Sequence, residues 1–328
     1  MNDAIAGIDI GGTKIAIGLA NRAGTLAAHR RIATRPDLGP QVALDNVCLT
    51  LEQMLQKQDA SLLSIGVGCL GPLDVDKGLV LSPANLRTWS RVPIVEKLRD
   101  YFGVAVAFDN DANAAALGEY MYGAGKGFKN VLYITVSTGI GGGIILNGEI
   151  YRGVANGAGE LGHTIVQPDG VRCNCGSIGC LETICSGTHI TRRIEERLAS
   201  GEPSLMRELA GSNSVFTAQT LVEAVRRDDK VAKELWGETC RFLALGLGNA
   251  ITLLAPEILI IGGGIAAANE LLFEPIRELV PKFVSMIAPE NINIVPALLG
   301  QDSGLFGAIA LGRTAFSKGS SIPASPKQ

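Results

Sequence analysis

One order of elements is written twice in this chain. Ala4–Ile10 reads as a short apolar strand, Gly11-Gly12-Thr13 as a turn and Lys14–Ala20 as a second strand, with Ala23-Gly24 turning into a third. Past Gly127 the order recurs: a strand over Val131–Val136, a glycine turn over Gly139–Gly143, a strand over Ile144–Leu146, the hairpin signal Asn147-Gly148, and a strand over Glu149–Arg152. Glycine-turned antiparallel meanders at two places indicate a diverged internal duplication. Each is followed by helices and a buried strand. Gln41–Gln56 carries Val42, Leu44, Val47, Leu51 and Leu55 at helical spacing before the run Leu63–Leu70. Helical patterns over Thr188–Ala199 and Thr217–Leu254 precede the strand Ile258–Ile261. The pattern predicts an α/β protein, and 328 residues suffice for two domains with separate cores.

Composition narrows the function classes. A net charge of -3 lacks the basic excess that nucleic-acid binding requires. Arg192, Arg193 and Arg197 are interleaved with Glu195 and Glu196, which reads as a solvated mixed-charge face. The most membrane-like stretch, Phe242–Asn269, is interrupted by Asn249, Pro256, Glu257 and Gly262-Gly263-Gly264, so no membrane partner is expected. The start, Met1-Asn2-Asp3, has no positive or apolar leader region, and a cytoplasmic protein is expected. Of 41 glycines, 13 lie between Ser137 and Gly187, and this surplus is expected to mark close approach of backbone to phosphate, nucleotide or metal.

Gly11 and Gly12 present N–H groups unobstructed by a Cβ, and Thr13 and Lys14 add a hydroxyl and a cation, a set suited to a phosphoryl group. Asp9, one strand position earlier, would face that anion through hydrated Mg2+, which takes few carboxylates. Alone, the stretch reads equally as a tight hairpin with a surface lysine. The second turn, from Ser137 to Gly143 through Thr138 and Gly139, strengthens the phosphate reading, because two facing turns would clamp one polyphosphate. Gly262-Gly263-Gly264-Ile265-Ala266-Ala267 formally satisfies a dinucleotide fingerprint. A dehydrogenase also needs an acid after the next strand, and Asn291–Pro296 ends without one, so the turn reads as a seat for an adenosine.

His163, Cys173, Cys175 and Cys180 supply one imidazole and three thiols, the donor set of a closed tetrahedral Zn2+ site; the plain alternative is free buried cysteines in a loop. Such a knot would pin Glu160, His163 and Glu182 relative to one another. Asp109-Asn110-Asp111-Ala112-Asn113 stands between a strand (Val104–Phe108) and an Ala-rich helix (Ala114–Tyr120). Ligands gather at such strand ends, and helix N-caps favour the same residues.

Taken together, Asp9-Ile-Gly-Gly-Thr-Lys14, Asp109-Asn-Asp-Ala-Asn113, Glu160-Leu-Gly-His163 and Cys173-Asn-Cys-Gly-Ser-Ile-Gly-Cys-Leu-Glu182 resemble the ROK family of sugar kinases and repressors, most of all its bacterial glucokinases. The resemblance runs from Ile5 to about Arg313. It implies the actin- and hexokinase-like (ribonuclease H-like) fold, two α/β domains closing over a cleft. A small domain over 1–118 would be joined by a C-terminal helix at about 302–316, a larger one over 119–301 would hold the zinc knuckle, and 317–328 would be a flexible tail.

The resemblance further implies an ATP-dependent hexose 6-kinase with glucose first among substrates, Asp111 as base, and Asn85, Asn110, Glu160, His163 and Glu182 on the sugar hydroxyls. His163 would turn one ring nitrogen to sugar and the other to zinc. Gly11, Gly12, Thr13, Lys14, Thr138 and Gly139 would touch ATP phosphates, Gly263 would lie near the adenosine, and Asp9 would help place Mg2+. A homodimer or higher oligomer is the family's habit. Asn85-Leu-Arg-Thr-Trp89 departs from the family pattern in carrying Thr88 where glycine is usual, which bears on loop shape. Other hexoses, and a sugar-sensing repressor, are the alternatives. The family's repressors carry an N-terminal DNA-binding domain, whereas Asp9 here is close to the first residue.

Overall fold

The computed structural model describes residues 2–83, 85–211 and 215–319. Strands β1 (Asn2–Ile10), β2 (Lys14–Ala20) and β3 (Leu26–Ala33) form the first meander. Helix α1 (Gly39–Lys57) and strand β4 (Ala60–Cys69) follow, then the short strands β5 (Leu73–Asp74), β6 (Leu79–Val80) and β7 (Val92–Pro93). Helix α2 (Ile94–Phe102), strand β8 (Ala105–Asn110) and helix α3 (Asp111–Tyr122) complete this half. The second meander is β9 (Val131–Val136), β10 (Ile140–Leu146) and β11 (Glu149–Ile150). After it come α4 (Glu182–Cys185), α5 (Gly187–Ala199), α6 (Met206–Leu209), α7 (Ala218–Arg226), α8 (Lys230–Leu254), β12 (Ile258–Gly262), α9 (Glu270–Leu279), β13 (Ile294–Pro296) and α10 (Ser303–Gly319).

The two large sheets have one topology. In order they are β3-β2-β1-β4-β8 and β11-β10-β9-β12-β13, each an antiparallel meander extended by two parallel strands. The duplicated α/β plan read from the sequence is therefore present strand for strand. Strands β5, β6 and β7 make a separate small sheet.

Each half buries its own apolar core. One gathers Ile8, Ile10, Ile17, Val67, Leu51 and Trp89; the other gathers Ile134, Leu181, Leu243, Leu247, Ile261 and Phe273. Helix α10, the last of the described elements, packs against β1 and β4 of the first sheet and against α3. Glycine makes that fit: a Cβ on Gly66 would come within 1.9 Å of the Ala308 carbonyl oxygen, and one on Gly307 within 1.9 Å of that of Ala114. The chain passes between the sheets after α3 and again before α10. The buried Glu119 carboxylate ties both passages, accepting the N–H groups of Ala124 (2.9 Å), Leu298 (3.1 Å) and Leu299 (2.9 Å) and the Ser303 hydroxyl (2.8 Å).

Several expected boundaries are corrected. The Gly139–Gly143 turn is only Ser137–Gly139, and Gly141, Gly142 and Gly143 lie inside β10. They are glycines because α3 and a neighbouring loop press on the strand. A Cβ on Gly143 would sit 2.5 Å from that of Ala116, and one on Gly142 would sit 2.6 Å from the Gly159 carbonyl oxygen. The helical run Thr217–Leu254 breaks into α7 and α8 where Asp228 takes φ 64° and Asp229 caps α8 through the Ala232 N–H. Strand β11 stops at Ile150, leaving Arg152 outside it. Residues 317–319 of the expected tail form the end of α10, and 320–328 lie outside the described residues. No helix among the described residues is long and apolar enough to cross a membrane.

Candidate active site

Parallel pairing aligns the ends of β1, β4 and β8, placing Asp9, Gly68 and Asp109 in register on one sheet edge. Gly68 lies close to both acids: a Cβ there would press on the Ala114 Cβ at 3.1 Å and stand 3.8 Å from Asp111 Cα and 3.9 Å from Asp9 Oδ1. Asp111 is the first residue of α3. Asn110 is its N-cap, and both side chains accept the Ala112 N–H at 2.9 Å. Burial, then the Asp9 charge and more weakly that of Glu160, raises Asp111 to about 7. Burial also raises Asp9 to about 6, against the pull of Lys14 and Arg31. A carboxyl group tuned to near neutrality is what a general base requires. Asp109 turns the other way, wholly buried, and faces protein.

The first glycine turn is held from below. The Gly11 N–H donates to the Lys14 carbonyl at 3.0 Å and the Thr34 hydroxyl to the Gly11 carbonyl at 2.8 Å, so the Gly11 N–H is engaged within the hairpin. Thr13 and Lys14 are exposed. A Cβ on Gly12 would approach the Asn85 Cβ to 2.9 Å, which brings exposed Asn85 beside this turn. Buried Leu86 and Trp89 anchor that loop, and Thr88 donates its hydroxyl to the Pro36 carbonyl. Thr88 has no positive φ, so the position does not need the glycine usual there.

The second turn rests on the start of α5. The Gly187 N–H donates to the Ser137 carbonyl at 2.6 Å, and the Thr188 hydroxyl donates to that of Thr138 at 2.9 Å. Next to it opens a cavity of about 380 Å3 lined by Ser137, Thr138, Thr188, Gln219, Arg226 and Gly264, among others. Gly263 stands behind this cavity. Its φ of 85° and the 2.4 Å from a built Cβ to the Val136 carbonyl oxygen show why only glycine fits, while Gly264 faces the opening. Thr188 on α5 and Gln219 and Arg226 on α7 belong to no local sequence motif, so nothing in the sequence marked them.

His163 stands between the cysteine knuckle and Glu160. Its Nδ1 lies 3.6 Å from Cys173 Sγ, and its Nε2 lies 3.9 Å from Glu160 Oε2. Cys175 and Cys180 Sγ are 3.6 Å apart, and all four donor atoms fall within 4.8 Å of one another. Thiolates on one tetrahedral Zn2+ stand about 3.8 Å apart, given Zn–S bonds of about 2.3 Å, so the donor set fits that metal in chemistry and span. Gly176 (φ 99°) and Gly179 (φ 78°) turn the knuckle; a Cβ on Gly179 would meet the Gln167 carbonyl oxygen at 1.6 Å. Glu182 opens α4 just past Cys180 and accepts the Ile140 N–H at 2.8 Å, beside Gly139 of the second turn.

The structure thus brings Asp9, Asp111 and Glu160 within electrostatic reach, Asn85 beside Gly12, Glu160 beside His163, and Glu182 beside Gly139. Residues 5–315 match the model of the ROK family. The chain is 34% identical over 307 residues to a glucokinase of Thermotoga maritima, across 94% of this chain and 96% of that one. A ROK family glucokinase from Streptomyces griseus, solved in complex with glucose and AMPPNP, superposes with a TM-score of 0.79 at 34% identity, covering 95% of this chain and 99% of its own. A xylose repressor of Caldicellulosiruptor bescii is 29% identical over 313 residues, 94% of this chain and 77% of the repressor.

Proposed function

Because the chain belongs to the ROK family, we propose that it transfers the γ-phosphoryl group of ATP to the 6-hydroxyl of a hexose, glucose first among substrates. The observation that carries this reading is Asp111, raised to about 7 by burial and the Asp9 charge at the N-terminus of α3, with Gly68 packed near both acids. In its ionised form Asp111 accepts the proton of the attacking hydroxyl as the sugar O–Pγ bond forms and the bond from Pγ to the β–γ bridging oxygen breaks, leaving ADP. General-base assistance of this kind contributes about 10² to 10⁴-fold, and positioning with charge stabilisation carries most of the remainder.

Asn85, Asn110, Glu160, His163 and Glu182 supply acceptors and donors for the other sugar hydroxyls, His163 through Nε2. The cavity between the second turn and Gly264, about 380 Å3 and lined by hydroxyl, amide and apolar groups, would receive the adenosine. From there the phosphates would run past Thr138 and Gly139 toward Thr13 and Lys14, with Gly12 keeping the first turn free of side chain. Asp9 would hold a hydrated Mg2+, which when bound neutralises charge on the phosphoryl oxygens. His163, Cys173, Cys175 and Cys180 would hold Zn2+ as a closed structural site that fixes the rim carrying Glu160 and Glu182.

Hexose-dependent ADP release tests this reading: the protein should turn over with glucose, ATP and Mg2+, and Asp111→Asn should bind glucose but lose at least a hundredfold in kcat. Near-full turnover of that variant overturns the assignment. The likeness to a xylose repressor favours a second reading, a sugar sensor acting on DNA. Sugar-dependent DNA binding without ADP release would select it. A panel of glucose, mannose, fructose and N-acetyl hexoses ranks the substrates, and polyphosphate should be tried as a second donor.

A further inference from the structure

Asp109 is the penultimate residue of β8, immediately before Asn110 and Asp111, and its side chain is 0% exposed. Its Oδ1 accepts the Asn110 N–H at 2.8 Å and the Asn113 amide at 2.9 Å. Its Oδ2 accepts two guanidinium donors of Arg152, Nε at 2.8 Å and Nη2 at 2.6 Å. Arg152 belongs to the other half of the molecule, just beyond β11. Its own carbonyl accepts the Ala158 N–H at 2.9 Å, shortly ahead of Glu160. One arginine therefore joins the turn that bears Asn110 and Asp111 to the loop that leads into Glu160 and His163.

Asp109 is fully buried, while the Arg152 side chain keeps 38% of its surface exposed; desolvating the carboxylate offsets much of the attraction, so the pair is a poor way to gain stability. Its strength is geometry, since a guanidinium donating two bonds to one carboxylate admits a narrow range of placements. Resting on the hexose-kinase reading above, we infer that Arg152 is a positioning residue for the sugar site. Through Asp109 it holds Asn110 and Asp111, on one side of the cleft, in register with Glu160 and His163 on the other. Arg152 need touch neither sugar nor nucleotide to do so. An error of about 1 Å in such a register costs on the order of a hundredfold in rate.

The test compares Arg152→Met, Arg152→Lys and the double variant Asp109→Asn/Arg152→Met with the unaltered protein, each checked by thermal melting and far-ultraviolet circular dichroism. Arg152→Met should lower kcat/KM for hexose by about a hundredfold through both parameters, leaving KM for ATP within about threefold, and Arg152→Lys should recover part of the loss. Arg152→Met strands the Asp109 charge and lowers Tm. The double variant removes both charges and should regain Tm while remaining at least tenfold impaired toward hexose. A purely structural role predicts instead that activity returns together with Tm, and that result overturns the proposal. So does hexose kcat/KM within twofold of normal in Arg152→Met. If the unaltered protein releases no ADP with any hexose, the kinase reading alone fails. Equilibrium glucose binding then decides the pair: Kd should rise at least tenfold in Arg152→Met, and an unchanged Kd overturns it.

Discussion

Glu182 accepts the Ile140 backbone N–H at 2.8 Å, and this bond joins the segment leaving the cysteine knuckle to the strand that follows the second glycine turn. A side chain assigned to sugar thereby also shapes the place assigned to phosphate. Glu182→Ala should raise KM for both hexose and ATP, with kcat/KM down at least tenfold. Glu182→Gln keeps an oxygen for the Ile140 N–H and should mainly affect the hexose. Steady-state kinetics with each substrate varied in turn checks this; a shift in hexose KM alone in Glu182→Ala would separate the two roles.

Asp111 links activity to stability. Its pKa rises from 3.8 to about 7 on folding, so the folded protein holds this proton more tightly than the unfolded chain. The group's contribution is therefore present in full below pH 3.8 and is lost as pH rises toward about 7. Asp111→Asn removes that burden and should melt several degrees higher than the unaltered ligand-free protein at pH 8, with the gain shrinking toward pH 4. Melting curves across this range decide it, and a pH-independent difference would refute the linkage.

Metal analysis of purified protein should find about one zinc per chain. Cys175→Ser should lose it and weaken glucose binding, because Glu160, His163 and Glu182 flank the knuckle. Cys69→Ser, buried at the end of β4, serves as the control and should retain the metal. Active protein without zinc would dismiss the site.

Gly143→Ala discriminates packing from phosphate binding. The new methyl would stand 2.5 Å from Ala116 Cβ and 2.8 Å from the Ala112 carbonyl oxygen. Overpacking of this kind costs about 1–3 kcal/mol, so Tm should fall while KM for ATP stays within twofold. A normal Tm with a raised KM for ATP would return this glycine to the phosphate site.

Glu119 accepts four hydrogen bonds from the two passages between the sheets. Glu119→Gln turns an NH2 group toward some of those donors and should destabilise by about 2–4 kcal/mol, as buried charge-assisted bonds do when broken. Denaturant unfolding measures this, and a loss under about 0.5 kcal/mol would mean that the passages hold without it.

Much of the molecule was legible in near-neighbour patterns. Alternation and glycine turns disclosed the two meanders, because strand period and turn chemistry depend on adjacent residues. The Cys173, Cys175, Cys180 and His163 spacing disclosed the knuckle, whose four donor atoms do converge. Asn110-Asp111 was readable as both a helix cap and a ligand-facing turn, and its two side chains share the Ala112 N–H.

What the tertiary structure alone decided are contacts between residues remote in sequence. Identical glycines serve different ends: Gly139 belongs to a turn, whereas Gly141 and Gly143 admit α3 against β10, and no local pattern separates these cases. Asp109 stands in the same motif as Asp111, yet it pairs with Arg152 while Asp111 accepts the Ala112 N–H at the start of α3. Side-chain type and local propensity are carried by the chain itself. Which face meets which partner is set by how the sheets and helices pack, and that packing assigned the charges, cavity walls and glycine contacts their separate tasks.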